Sequence, residues 1–146
     1  MDKLIWVIVA FIAGAVLPIQ AGLNNKIAKA GESPVHASAI SFVVGLLALL
    51  CYILISAQDI SWKGLKEAPL YAWTGGLLGA FYVTIIVFAF PKIGPGFTFG
   101  LVVAGQLLIS MIMEHFQILG AQYQPISLGR VAGLLLIIGG VILMKR

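Results

Sequence analysis

Long runs without a charged residue constrain this chain more than any other feature of its sequence. No Asp, Glu, Lys or Arg occurs in Leu4–Asn25, Ser33–Gln58, Ala68–Pro91 or Ile93–Met113. Each run is long enough for an apolar helix to cross the hydrocarbon core of a bilayer, which is about 30 Å thick. A chain of 146 residues that carries four such runs is therefore predicted to be an integral membrane protein.

A fifth apolar run supports the same conclusion near the end of the chain. It extends from Leu128 to Met144 and carries Arg130 near its start, where a long side chain can reach the membrane interface. The composition agrees, because only 10% of the residues are charged, whereas a soluble domain is about a quarter charged. We predict an all-α membrane protein with one transmembrane domain over residues 1–146, whose five helices lie at about 4–25, 34–57, 69–90, 97–119 and 127–144.

Several classes of function are disfavoured by the same sequence. The net charge of +4 is spread over loops and ends without forming a basic face, which argues against a nucleic acid partner. The pattern contains no metal-ligand cluster, phosphate-binding loop or nucleophile elbow, so we predict no cofactor and no enzyme activity. The single cysteine, Cys51, cannot form a disulfide within the chain. The first apolar run is long for a signal peptide and no clear cleavage site follows it, so we expect an uncleaved span.

Lysines and arginines in the short loops are nearly balanced between the two sides of the membrane. Four of them fall on one side and five on the other: Lys3, Lys63, Lys66 and Arg130 against Lys26, Lys29, Lys92, Lys145 and Arg146. An excess of these residues normally marks the cytoplasmic side, so a near balance gives little bias. Two interpretations stay open. The chain inserts in both orientations and opposed copies pair, or one weakly determined orientation is set by a partner chain.

The first apolar run contains a group of residues typical of a ligand site. Pro18 has no N–H, so the carbonyl of Gly14 lacks its usual helical donor, and a helix break is predicted there. Gln20 and Asn24 follow four residues apart and share a face of the helix. A free carbonyl beside two amides is a candidate half of a transporter binding site. The alternative is a kinked helix whose amides bond to neighbouring helices.

Gln106 is the corresponding candidate in the fourth apolar run. It lies in mid-span, where an amide without a partner is costly. On a helix it shares one face with Ser110, Met113 and Gln117. Binding a ligand and bonding to a neighbouring helix explain this amide about equally well.

Two aromatic residues of the third run are further candidates for contact with a substrate. Trp73 and Tyr82 are able to stack on a small molecule, and Tyr82 can also hydrogen-bond to it. Because Trp73 lies close to the start of its helix, it also fits the role of an interface anchor, and this is the simpler interpretation.

Glu114 and His115 form a pair of titratable side chains close to the membrane interior. A carboxyl beside an imidazole would suit proton-coupled exchange. Arg130 begins the next helix on the same side of the membrane, however, and intramembrane charges usually pair. A fixed ion pair between Glu114 and Arg130 is therefore the favoured alternative.

Glycines supply candidate packing surfaces on two helices. In the third helix Gly75 and Gly79 are four residues apart, and in the fifth helix Gly129, Gly133 and Gly140 share a face. Small residues at this spacing let helix backbones approach closely in lipid. Helix five is thus predicted to associate with another copy of itself, although glycine is also simply common in membrane helices.

Five sequence segments together resemble a known family. They are GAVLPIQAGLNNKIA, SPVHASAISFVVG, WTGGLLGAFYV, AGQLLISMIMEHF and PISLGRVAGLLLIIGG. This pattern is similar to the YdcZ-type proteins, the five-helix branch of the drug/metabolite transporter superfamily. Glu114 stands where that family has Asp in an Asp-His-Phe-Gly element, and Gln117 stands where it has glycine. These two departures leave the role of Glu114 open.

The resemblance implies a function and an assembly. We expect a multi-pass protein of the bacterial inner membrane that acts as a secondary active transporter of a small organic metabolite or cation. Opposed subunits, as an antiparallel homodimer or a pair of homologous chains, would form a ten-helix bundle in the lipid bilayer. Gln20, Asn24 and Gln106 would contact the substrate, and Glu114 and His115 would couple protons. A non-transporting scaffold subunit and a channel remain as alternatives.

Overall fold

The computed structural model describes residues 2–145, so Arg146, which the charge count includes, lies outside it. The described chain is helical throughout its apolar runs. Its helices are α1 (Asp2–Ala30), α2 (Pro34–Ser56), α3 (Trp62–Glu67), α4 (Gly75–Ile93), α5 (Pro95–His115) and α6 (Leu128–Leu143), and two 3₁₀ turns span Leu70–Thr74 and Ile118–Gly120. The all-α membrane fold class is confirmed.

Four helical segments have the length and apolar composition of membrane spans. They are Lys3–Ala30, Pro34–Ser56, Leu70–Ile93 and Pro95–His115. Helix α6 is equally apolar but has only 16 residues, which at 1.5 Å per residue is about 24 Å long. Because the hydrocarbon core is about 30 Å thick, the fifth span stays a prediction.

The chain divides after Pro91 into two compact units. In the first unit, α1 and α2 pack together as a hairpin closed by the three residues between Ala30 and Pro34. Ser33 caps α2, since its side chain accepts a hydrogen bond from the His36 N–H at 3.2 Å, and Pro34 occupies the first helical turn. This start was predicted from the sequence, because serine followed by proline is a strong helix-initiation signal.

A small core closes one end of the first unit. Ala28 of α1, Ala37 of α2 and Val87 of α4 are all buried and pack together, with Val83 against them. Ala37 is fully buried, because small side chains let the two helices approach each other next to their connecting turn. Most other side chains of α1 and α2 are exposed on the single chain, as expected of a surface that meets lipid or another subunit.

The second unit is built on a contact between α5 and α6. Its closest point is at Gly100, where an added Cβ would lie 2.8 Å from Cγ2 of Val141. A side chain at position 100 would collide with that valine, so glycine is needed there. Gly100 was not among the glycines predicted to pack.

Unlike Gly100, none of the five glycines predicted to pack lies in a close contact within the described chain. An added Cβ at Gly79 would lie 3.5 Å from the ring of Phe42 in α2, an ordinary contact distance. Around the other four, Gly75, Gly129, Gly133 and Gly140, the described chain places nothing within 4 Å of such an atom. Their role in packing against another chain stays a prediction.

Several predicted boundaries and one predicted break differ from the structure. Helix α1 continues to Ala30 and passes through Pro18 without interruption, so the predicted helix break at Gly14 and Pro18 does not occur. Helix α5 ends at His115, four residues before the predicted end, and Gln117 has a left-handed backbone with φ of 53°. Gln117 is therefore not on the helix face of Gln106.

The polar connection after α2, residues 58–67, contains a short helix that was not predicted. Residues 62–67 form the short helix α3, capped by Ser61, whose side chain accepts a hydrogen bond from the Gly64 N–H at 3.2 Å. Trp62 and the two lysines of this helix are exposed. A helix of six residues is too short to be detected from hydrophobic periodicity, although the serine cap was visible in the sequence.

Candidate functional site

A cavity of about 350 Å³ lies between α1, α2 and α4 in the first unit. Its lining is mostly apolar and includes two polar side chains, those of Gln20 and Ser41. The lining residues are Gln20, Ser41, Phe42, Gly45, Leu46, Leu49 and Val83. Apolar cavities of this size with a few polar groups are typical of small-molecule sites.

Gln20 is brought to this cavity by helix α1. Its side chain is exposed on the single chain and lines the cavity two residues after Pro18. Because proline has no N–H, the Gly14 carbonyl still lacks its helical donor even though the helix is continuous. The cavity therefore has an amide that can both donate and accept hydrogen bonds, whereas Gly14 is not among the residues that line it.

Asn24 shares the helix with Gln20 but not its surroundings. It is only 4% exposed, and its Nδ2 has no hydrogen-bond partner among the described residues. The residues that line the cavity do not include it. A buried amide group without a hydrogen-bond partner lowers the free energy of unfolding by about 1–3 kcal/mol. The Nδ2 donor of Asn24 is such a group, and it lies beside the core of the first unit.

The two aromatic candidates are also separate from the cavity lining. The hydroxyl of Tyr82 is buried and has no partner among the described residues, although the next residue, Val83, lines the cavity. Trp73 lies on the 3₁₀ turn before α4 and is 61% exposed. Its position at the start of the span fits an interface anchor better than a substrate contact.

A network of polar contacts holds the end of the second unit. Glu114, in the last turn of α5, forms an ion pair with Arg130, in the first turn of α6. The Arg130 guanidinium also donates hydrogen bonds to the carbonyls of Gln124, at 3.2 Å, and Pro125, at 3.5 Å. In turn, the Gln124 N–H donates to the Glu114 carbonyl at 3.2 Å. The pairing that the sequence predicted is present.

His115 belongs to the same network without touching the ion pair in the contacts described. Its Nδ1 accepts a hydrogen bond from the Ile126 N–H at 3.4 Å. Its ring lies edge-on to Phe116, with ring centres 4.8 Å apart. Together with Glu114 and Arg130 it fastens the segment 116–127 across the ends of α5 and α6. We call these three residues and the carbonyls of Gln124 and Pro125 the clasp.

Gln106 lies in the middle of α5, and its side chain is exposed on the single chain. Ser110, one turn later, is exposed as well. An amide exposed to hydrocarbon in mid-span is costly, so this surface of α5 calls for a partner of its own or for a water-filled cleft.

The structure adds two cavity residues that sequence reasoning missed. Ser41 and Phe42 of α2 line the cavity with Gln20. The hydroxyl of Ser41 was a weak signal, because α2 also contains Ser38 and Ser56, and serines in membrane helices often bond to their own backbone, as these two do. Among the described residues there is also no group of three His, Cys, Asp or Glu side chains placed to hold a metal ion.

Comparison with known proteins places the chain among membrane proteins. A family model described as "Putative inner membrane exporter, YdcZ" matches residues 5–143. A relative, "Inner membrane protein YdcZ" of Escherichia coli (strain K12), is 26% identical over 136 residues, which cover 92% of this chain and 90% of the relative. No solved structure matches the chain significantly.

Proposed function

Since the chain belongs to the YdcZ family of the DMT type, we propose that it is a secondary transporter that moves a small organic metabolite or cation across the inner membrane. The observation that carries the proposal is the amide of Gln20 on a cavity of about 350 Å³ between three helices of the first unit. Polar side chains inside membrane-spanning helices face the interior of the bundle or a water-filled cavity, and Gln20 lies on such a cavity.

The chemistry of this cavity supports binding of a small, largely apolar molecule. Gln20 and Ser41 would fix its orientation by hydrogen bonds, while Phe42 and Leu46 would cover its apolar part. Asn24 and Tyr82 would join them only after a movement of the helices, because their polar atoms are buried in the conformation described.

A second copy in the opposite orientation completes the proposal. Gln106 and Ser110 are exposed in the middle of α5 on the single chain, and an inverted copy would cover them and enclose a path. The balanced loop charges agree with such a pair. The open glycines Gly129 and Gly140 on α6 offer surfaces on which helices could approach. In this assembly α6 acts as the fifth span.

Proton coupling through Glu114 and His115 is a separate element of the proposal. The ion pair of Glu114 with Arg130 supports a structural role for this carboxylate. Proton transfer at Glu114 would require the pair to open during the transport cycle. If Glu114 carries the coupled proton, a proton gradient should drive transport by the wild type. The same gradient should not drive transport by Glu114→Gln, because an amide has no carboxyl proton to release.

Transport by proteoliposomes containing only this protein tests the function. A panel of radiolabelled apolar amino acids, hydrophobic amines and quaternary ammonium compounds with apolar substituents is screened for uptake that saturates and shows counter-transport. Gln20→Leu should reduce the uptake of a transported compound at least about tenfold, which is 1.4 kcal/mol, whereas Gln58→Leu, at an exposed position after the end of α2, should leave it unchanged. Flux without saturation would indicate a channel. Absence of flux for every compound would favour a scaffold subunit.

A further inference from the structure

A second, smaller groove lies between α5 and α6, and none of its lining residues lines the cavity proposed to bind the substrate. It has a volume of about 220 Å³ and is apolar along its length, with one charged side chain, that of Arg130. The lining residues are Leu107, Met111, Arg130, Gly133, Leu134 and Ile137. Leu107 and Met111 belong to α5 and the other lining residues to α6, so the groove follows the helix pair.

The charged residue lies where the helices leave the membrane. Arg130 is in the first turn of α6, and its partner Glu114 is in the last turn of α5. The side chains of both are about a third exposed, 31% for Arg130 and 34% for Glu114. An apolar groove that ends at accessible charges in the membrane interface matches the shape and polarity of an amphiphile.

We propose that this groove binds one acyl chain of a membrane phospholipid, whose phosphate contacts Arg130. The guanidinium has five N–H donors, and its described bonds use two nitrogens, for Glu114, Gln124 and Pro125. Arginine retains capacity for a phosphate oxygen in this geometry, because its donors are spread over a planar fork.

The ion pair also selects the type of headgroup. Arg130 presents a positive charge and Glu114 a negative charge at the same end of the groove. A zwitterionic phosphoethanolamine headgroup satisfies both, with its phosphate on Arg130 and its ammonium on Glu114. A phosphoglycerol headgroup offers only the negative charge and would be repelled by Glu114. The groove should therefore retain phosphatidylethanolamine more strongly than phosphatidylglycerol.

Gly133 makes the groove accessible and provides a specific variant. It lines the groove, and a Cβ added there would meet nothing within 4 Å. A Cβ at position 133 thus meets no other protein atom, and a longer side chain would extend from it towards the space of the acyl chain. Gly139 lies on the same helix and is equally open, but it is neither among the residues that line the groove nor among the glycines proposed to pack against a second copy. The two glycines form a matched pair.

Native mass spectrometry of the detergent-purified protein tests this site. Dioleoyl phosphatidylethanolamine and dioleoyl phosphatidylglycerol are added at equal concentrations. The wild type should retain the first lipid in preference to the second. Gly133→Leu should weaken retention of phosphatidylethanolamine at least about tenfold, equivalent to 1.4 kcal/mol, and Gly139→Leu should not. Gly133→Ala, which adds one methyl group, should give a smaller loss and serves if the leucine variant does not fold.

Other results would overturn the proposal. Equal retention of phosphatidylethanolamine by Gly133→Leu and Gly139→Leu would show that the groove holds no lipid. A Gly133→Leu variant with unchanged lipid retention and a lost dimer would assign the groove to a second copy of the chain. Preference for phosphatidylglycerol would contradict the charge argument, whereas a shift towards that lipid in Glu114→Gln would support it. None of these readouts depends on whether the protein transports a solute.

Discussion

Gly100 sets how closely α5 and α6 approach each other. A Cβ at this position would lie 2.8 Å and 3.1 Å from the two γ carbons of Val141, which is 6% exposed. Gly100→Ala should therefore destabilise the second unit by about 1–3 kcal/mol, the usual cost of overpacking. Thermal unfolding in detergent measures the effect.

The control for this prediction lies on the same helix. Gly105 has nothing within 4 Å of an added Cβ, so Gly105→Ala should leave the unfolding temperature near that of the wild type. Val141→Ala removes the obstructing γ carbons, and the double variant with Gly100→Ala should regain most of the lost stability. If Gly100→Ala is as stable as the wild type, the two helices are not in close contact there.

The ion pair between Glu114 and Arg130 in the clasp should contribute modestly to stability. Because Glu114 and Arg130 are each about a third exposed, their coupling should be modest, about 1 kcal/mol. A double-mutant cycle with Glu114→Gln and Arg130→Gln, followed by thermal unfolding, measures it. A coupling energy of zero would mean that the pair is not maintained in the membrane.

Residues differ in how well the sequence identified them. The pairing of Glu114 with Arg130 was predicted, because isolated charges at membrane depth need partners. Gly100 was not, since nothing in the sequence distinguishes a glycine that faces Val141 from one that faces lipid. The left-handed backbone of Gln117 and Leu119 was also unforeseen, because neither residue type favours that conformation.

Pro18 lies within helix α1 and limits its stability. Its hydrogen-bond ladder lacks the donor of Pro18 although the helix is continuous. Pro18→Ala should restore the bond to the Gly14 carbonyl and stabilise the helix by up to about 3 kcal/mol. We expect a higher unfolding temperature and slower transport, because a stiffer α1 would hold Gln20 in one position.

Pro34→Ala is the matched control for that variant. Pro34 lies in the first turn of α2, where the missing N–H would have no helical partner in any case. Its replacement should change neither stability nor transport appreciably. A Pro18→Ala variant that behaves like Pro34→Ala would show that the missing donor in α1 has no mechanical effect.

Helix positions followed from the apolar runs more reliably than helix ends did. The start of α2 was predicted because Ser33 and Pro34 are explicit signals. The end of α1 was placed too early, since Lys26 and Lys29 are compatible with a last helical turn that extends into the interface. The end of α5 was placed too late because Phe116, Ile118 and Leu119 are apolar like the helix before them, while the backbone already turns at Gln117.

At the scale of the whole molecule, the near balance of loop charges predicts two orientations in the membrane. A single cysteine introduced at either terminus of a Cys51→Ala background should be labelled from outside in part of the population of intact cells. Labelling at only one terminus would contradict dual insertion. The exposed Cys51 of α2 has to be replaced so that the signal reports the termini alone.

Charge-biased variants extend this test to function. Added lysines at Gln58 and Asp59 bias one orientation, and added lysines at Gly31 and Glu32 bias the other, because positive loops stay in the cytoplasm. Each variant alone should lose transport, and their coexpression should restore it if opposed copies form the path. Full activity of one biased variant alone would contradict the antiparallel pair.

The family could be predicted from local sequence motifs, but the cavity next to Gln20 could not. The motifs around Pro18, Gln106 and Glu114 are local, and the match over residues 5–143 confirms the resemblance that they indicated. The cavity next to Gln20 depends on how α2 and α4 pack against α1, and the periodicity of apolar residues does not determine that packing when every face of a helix is apolar.

The buried amide of Asn24 has a consequence for motion. Its Nδ2 lies beside the most compact end of the first unit without a hydrogen-bond partner among the described residues. Moving α1 away would let water reach that nitrogen and recover about 1–3 kcal/mol. Hydration of Asn24 would thus favour separation of α1 and α2 at the contact that buries Ala28 and Ala37.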